Sequence, residues 1–146
     1  TPAEMQRYLS KISGPLLDRI DIHIEVTPVP FEKLSEERKG ERSTVIRERV
    51  TKARELQTQR FEALPNIHYN AQMNTKQIRE YCKLEVSSLE LLKKAMERLN
   101  LSARAYDRIL KVARTIADLE NETSINGNHI SEAIQYRSLD REGWLG

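Results

Sequence analysis

Two arginines in this 146-residue chain stand where their chemistry would be useful. Arg19 closes the run Pro15-Leu16-Leu17-Asp18-Arg19, in which Pro15 stiffens the backbone and the two leucines offer apolar anchors. A guanidinium keeps its charge at any ordinary pH and presents a planar fork suited to phosphate oxygens, so an arginine on a rigid base suits phosphoryl transfer. An ion pair with Asp18 or Asp21 is the competing use of the same side chain. Arg104 follows Ser102, an expected N-cap, and so falls in a first helical turn where the macrodipole mildly disfavours a cation. That position makes sense if an anion sits there, because a helix N-terminus and an arginine together attract phosphate. A surface arginine also tolerates the cost of roughly a few tenths of a kcal/mol, and both readings stay open.

Other chemistry is poorly supplied. Asp21, His23 and Glu25 alternate and could imitate metal ligands, but period-two alternation gives any half-buried strand such a polar face. His23, His68 and His129 fall on three different elements, and the single Cys82 cannot complete a cluster, so no metal site is expected. There is no Gly-rich phosphate loop and no Ser or Cys nucleophile motif. Cys82 excludes an intrachain disulfide and reads as a small buried apolar side chain of a reduced, intracellular protein.

Composition narrows the class further. A formal charge of +2 and a pI near 8.7 give no strong whole-chain pull toward nucleic acid or a membrane surface. With 32% charged residues, 5% aromatic residues and a mean hydropathy of −0.64, the chain reads as exposed helix rather than dense β core. No apolar run approaches the roughly 20 residues needed to span a bilayer, and no signal peptide start is present. We therefore expect a cytoplasmic protein without a membrane partner.

The elements that must position the two arginines follow from periodicity and breakers. Met5, Tyr8, Leu9 and Ile12 predict a helix from Ala3 to Ile12, stopped by Gly14-Pro15. After the Pro15–Arg19 turn, Ile20, Ile22, Ile24 and Val26 predict the one convincing β-strand, which lacks a partner in the sequence and suggests a piece of a larger unit. The prolines at 28 and 30 end it, and residues 31–42 read as a linker. A long helix is expected from Ser43 or Thr44 to about Ala63, with Ile46, Val50, Ala53, Leu56 or Gln57, and Phe61 on its apolar side. Its Arg42, Arg47, Arg49, Lys52, Arg54 and Arg60 form either a solvated face laced with ion pairs or a nucleic-acid contact. Asn74 or Thr75 caps a short helix to Cys82, and Ser87 with Glu90 makes a capping-box pattern before the stripe Leu89, Leu92, Ala95, Met96 and Leu99. Tyr106, Ile109, Leu110, Ala113, Ile116 and Ala117 mark the most regular amphipathic helix. Asn126-Gly127 turns the chain, Asn128 caps, and Ile130, Ala133, Ile134 and Arg137 define a last helix before a short tail with Trp144. Short connections make neighbours antiparallel, so residues 43–146 are expected to form a small helical bundle.

The stretches from Arg7 to Val26 and from Leu101 to Leu119 together resemble the C-terminal part of the magnesium-chelatase-like AAA+ ATPases of the ComM/YifB type. The intervening helical pattern agrees, so the resemblance covers essentially the whole chain. It implies a mainly α fold, in which residues 1–30 are the C-terminal edge of an AAA+ core, with a helix, finger turn and orphan strand, and 43–146 are its helical lid. It implies that Arg19 is an arginine finger reaching the γ-phosphate of ATP on a neighbouring subunit and that Asp18 helps fix that interface. Arg104, in Ser102-Ala103-Arg104, would be the sensor 2 residue contacting ATP on its own subunit. ATP with Mg²⁺, a hexameric ring of copies and possible DNA substrates are implied for the parent protein, as a helicase or branch-migration motor in recombination of imported DNA. The family's Walker A and Walker B motifs are absent from the sequence, so this stretch alone is expected to be inactive and to hold no ATP. Two alternatives differ in class: an autonomous helical module binding DNA or protein, and the motor subunit of a metal chelatase.

Overall fold

The computed structural model describes residues 2–31 and 40–137. Helix α1 (Pro2–Leu9) and the single turn α2 (Gly14–Leu17) lead into a segment without secondary structure. Helix α3 (Ser43–Arg60), a 3₁₀ turn (Asn70–Gln72), α4 (Thr75–Tyr81), α5 (Val86–Arg98), α6 (Ala103–Leu119) and α7 (Gly127–Gln135) make the helical body. Most of the expected linker and all of the expected tail lie outside the described residues.

Local chemistry accounts for the helix ends. Asn74 accepts hydrogen bonds from the amides of Lys76 and Gln77, while the Gln77 side chain accepts from the Asn74 amide, a complete capping box. Ser102 accepts from the Ala105 amide at 3.1 Å and caps α6 as expected. Two asparagines close helices by entering the left-handed region, Asn100 (φ 47°) after α5 and Asn121 (φ 59°) after α6. In each case the next amide reaches back to the third-last helical carbonyl, Leu101 to Met96 at 3.0 Å and Glu122 to Ala117 at 2.8 Å.

Two expected caps are corrected. Helix α5 starts at Val86 with Glu85 in the cap position, so Ser87 and Glu90 sit inside the helix and form no capping box. Asn126 rather than Asn128 caps α7, accepting from the amides of Asn128 and His129, while the His129 ring accepts from the Asn126 amide. With the cap at Asn126, Ile130 falls at the end of the first helical turn, where it is fully buried.

Helix α6 is the central element and packs against α7, α3, α4 and the 3₁₀ turn, with α5 closing on α7. Leu92, Ile109, Ala113, Ala117 and Ile130 are completely buried, and Phe61 meets Tyr81 edge-on at 5.3 Å between ring centroids. The apolar side expected for α3 is only half realised. Ala53 and Gln57 are buried, whereas Val45, Ile46 and Val50 remain exposed, because the first half of the helix extends beyond the body.

A polar network crosses this core. The Asp118 carboxylate accepts both guanidinium arms of Arg60, the Nε–H of Arg114 at 3.2 Å and the Asn70 amide nitrogen at 2.8 Å. Asn70 is itself held by the Gln57 side chain and by Thr115 Oγ1, both at 3.0 Å. The remaining arms of Arg114 donate to the carbonyls of Glu122 and Thr123, fixing the loop after α6. Every partner is satisfied, which is the condition under which a buried charge cluster specifies a fold rather than destabilising it.

No strand ladder forms among the described residues; the only β-type pairing is an isolated parallel bridge between Leu84 and Ile125. The expected strand at 20–26 is therefore corrected to a segment without a ladder, since a lone strand has no neighbour to take its hydrogen bonds. Its alternation also faces unexpectedly. His23 is buried and Asp21 half-buried against the helical body, while Ile20, Ile22, Ile24 and Val26 are exposed.

Candidate functional site

The turn that carries Arg19 is built by short-range bonds. Ser13 Oγ accepts from the Leu16 amide, Pro15 occupies the start of α2, and the amides of Asp18, Arg19 and Ile20 bond back to the carbonyls of Gly14, Leu16 and Leu17. Arg19 is exposed and its Nη1 donates to the Pro15 carbonyl at 3.2 Å. It pairs with neither Asp18 nor Asp21, so the competing ion-pair reading is not realised. Asp18, half-buried, closes α2 beside it.

Three contacts moor the residues after Arg19 to the helical body. Asp21 accepts from Arg108 at 2.6 Å, the His23 amide donates to the Tyr136 carbonyl at 2.7 Å, and Arg137 donates to the carbonyls of Ile20 and Leu17, the latter at 3.4 Å. Arg137 is 1% exposed.

Arg104 lies exposed in the first turn of α6 and makes no hydrogen bond or ion pair with the described residues. Arg108 follows it by one turn, so Arg104 continues the helix stripe that faces the Asp21 segment. The Asp21–Arg108 pair brings the segment after Arg19 against α6, and no contact joins Arg19 to Arg104.

Half of the basic residues named for α3 have partners. Arg49 is paired with Glu41 at 2.8 Å, Arg54 lies over the Tyr69 ring at 5.4 Å, and Arg60 is bound into the Asp118 network. Arg42, Arg47 and Lys52 stay exposed beside them. Burial lowers the Lys111 pKa, with Arg108 adding to the effect, and its Nζ donates to the Ala71 carbonyl at 2.9 Å. Burial likewise pushes the Cys82 thiol from an ordinary 9.0 to about 12, leaving it inert rather than nucleophilic.

Two cavities flank α6. One of about 700 Å³ lies between α4, α5 and the Ala103, Tyr106, Asp107 face, with Arg79 and Lys83 on its wall. The other, about 370 Å³, is mainly apolar and runs between Ile22, Ile24, Val112, Ile116, Leu119 and Tyr136. Neither is lined by Arg19 or Arg104, so the candidate arginines project from the surface instead of into a closed pocket. Among the described residues no group of three or more His, Cys, Asp or Glu side chains is placed to hold a metal ion, and no helix is long and apolar enough to cross a membrane.

Sequence reasoning singled out Arg19, Asp18 and Arg104 but passed over Arg108 and the anchoring role of Arg137. A signal for the second existed: Arg137 continues the apolar stripe Ile130, Ala133, Ile134 of α7, and an arginine at a core position must have buried partners.

Comparison with known proteins agrees with this architecture. Residues 40–137 match the family described as magnesium chelatase, subunit ChlI C-terminal, and residues 1–34 match the family described as magnesium chelatase, subunit ChlI. The chain is 44% identical over 142 residues to competence protein ComM of Haemophilus influenzae and 42% identical over the same length to the Escherichia coli protein YifB. Each alignment covers 97% of this chain and 27% of the relative. A protein of Mycobacterium tuberculosis is 33% identical over 135 residues, 92% of this chain and 26% of its own. The chain therefore spans about a quarter of the length of the curated relatives it matches, and it belongs to the magnesium chelatase ChlI C-terminal family, as the C-terminal region of a protein of the ComM/YifB kind.

Proposed function

We propose that this region supplies two arginines to ATP hydrolysis in a ring of copies of the parent protein. Arg19 is the finger delivered to the γ-phosphate on the neighbouring subunit, with Asp18 at that interface, and Arg104 senses ATP on its own subunit. Mg²⁺ bound with the nucleotide would neutralise phosphate charge. The observation that carries the reading is the contrast among arginines around α6. Arg60, Arg108 and Arg114 are paired with carboxylates and Arg137 is buried against backbone carbonyls, whereas Arg19 and Arg104 are exposed and neither is paired with a carboxylate among the described residues. A guanidinium kept exposed and free of carboxylates is ready for an anion.

The exposed row Ile20, Ile22, Ile24 and Val26 supports the same picture, since such a row is what a sheet in the parent protein would cover. The relative named competence protein ComM supports DNA as the material acted upon, with a cytoplasmic ring driving helicase or branch-migration steps on imported DNA. Arg60 is drawn into the core network and Arg49 is neutralised by Glu41 at the surface, which weighs against an autonomous DNA-binding module on α3.

The test uses the full-length parent protein. Arg19→Ala should abolish turnover while sparing ATP binding, a loss on the order of 10³-fold or more for an arginine acting in trans. Arg104→Ala should weaken both binding and turnover. Normal turnover in both variants removes the assignment.

A further inference from the structure

Position 19 can act only if its turn is held at a fixed angle, and the structure shows what holds it. We propose that Arg137 is a positioning residue for Arg19, and that with the Asp21–Arg108 pair it makes the finger turn move as one piece with α6 and α7. The inference rests on the finger reading of Arg19 given above.

The geometry is specific. The Arg137 guanidinium engages the carbonyls of Leu17 and Ile20, which bracket Arg19 on both sides, across 120 and 117 residues of sequence. Both carbonyls belong to the end of α2 and the turn after it; the Leu17 carbonyl also accepts the Ile20 amide at 3.1 Å, and its second lone pair is left for the guanidinium. A planar fork with several N–H groups can span two carbonyls at once, whereas a lysine ammonium is a point donor on a flexible stem. Arg137 is 1% exposed, so its own position is set by packing at the end of α7. Two residues beyond Arg19, Asp21 binds Arg108, which stands one helical turn after Arg104. A shift of α6 driven by nucleotide at Arg104 reaches the finger turn through the Asp21–Arg108 pair, while Arg137 ties the same turn to the end of α7, so the finger's aim follows the state of its own subunit's site.

Small misplacement of a catalytic group costs on the order of 10²-fold in rate, so the link should be visible in turnover rather than in binding. In the full-length assembled protein, Arg137→Lys and Asp21→Asn are compared with Arg19→Ala by ATPase kcat and KM, by binding of a fluorescent ATP analogue, by particle size and by thermal midpoint. The expected result is a fall in kcat of about 10²-fold for Arg137→Lys and of several-fold for the surface variant Asp21→Asn, with analogue affinity and ring size unchanged. Adding Arg137→Lys to Arg19→Ala should slow the enzyme no further than Arg19→Ala alone. Wild-type kcat in both Arg137→Lys and Asp21→Asn, with Arg19→Ala inactive, overturns this inference and leaves the finger reading standing. Loss of analogue binding or of the ring in Asp21→Asn also overturns it, because the links would then be structural supports. A fully active Arg19→Ala overturns the finger reading itself.

Discussion

The helical body and the segment that precedes it use the same side chain, arginine, in opposite ways. In the body, Arg60 and Arg114 converge on an Asp118 that is fully buried, surrounded by a core of Ile109, Leu110, Ala113 and Ala117. Around the preceding segment, Arg108 meets an Asp21 whose side chain is 43% exposed, and the neighbouring isoleucines face outward. The first arrangement is bound to the stability of the domain, because its charges have no water to fall back on. The second contributes little stability and instead fixes direction, holding a turn at a chosen angle to α6. Removing one partner of a buried ion pair strands a charge without water, whereas an exposed pair adds little to stability.

The contrast can be broken most severely at Asp118. Asp118→Ala leaves the buried Arg114 and the partly buried Arg60 without their carboxylate and should cost about 3–5 kcal/mol, read as a lowered denaturant midpoint for helical signal. A loss below about 1 kcal/mol would show that the network is peripheral to the body's stability.

Cys82 probes the same core through pH. Its folded pKa is raised by burial, so the folded state holds the thiol proton that the unfolded state releases above about 9. Stability from this group is present below that value and is lost as pH climbs toward 12. Between pH 8 and pH 10 the loss should be about 1 kcal/mol, seen as a fall in thermal midpoint that Cys82→Ala reduces. An unchanged slope in the variant would assign the alkaline loss to other groups.

The surface pair is expected to behave differently. Asp21→Asn should change global stability by less than about 1 kcal/mol yet speed amide exchange at His23, whose N–H donates to Tyr136 next to the anchor. Exchange at His23 that stays slow would mean the Tyr136 contact and Arg137 moor the segment without Asp21.

The smallest effect belongs to Val26, which is 88% exposed. Val26→Lys should alter the midpoint of this chain by no more than about 0.5 kcal/mol. A loss above about 1 kcal/mol would show that the outward row packs on the helical body after all.

Much of the body was legible in advance. The stripe of α6 from Tyr106 to Ala117, its Ser102 cap and the Asn74 cap of α4 are local features, and local hydrogen bonding with 3.6-residue periodicity is enough to write them. The cap of α5 was misread because Ser87 and Glu90 satisfy a pattern that the chain, already helical from Val86, has no need to use. The exposure of Val45, Ile46 and Val50 could not be read either, since periodicity identifies an apolar side but not whether anything lies against it.

The same division applies to the candidate site. By itself the sequence determined that Arg19 ends a stiff turn and Arg104 opens a helix, because proline, the serine cap and spacing act within a few residues. Only the tertiary structure decided which arginines are consumed by partners and which stay free, and that Arg137 reaches back to the carbonyls around Arg19. The Arg137 pairings join positions more than a hundred residues apart, and they arise from packing of α6 and α7, which no local rule encodes.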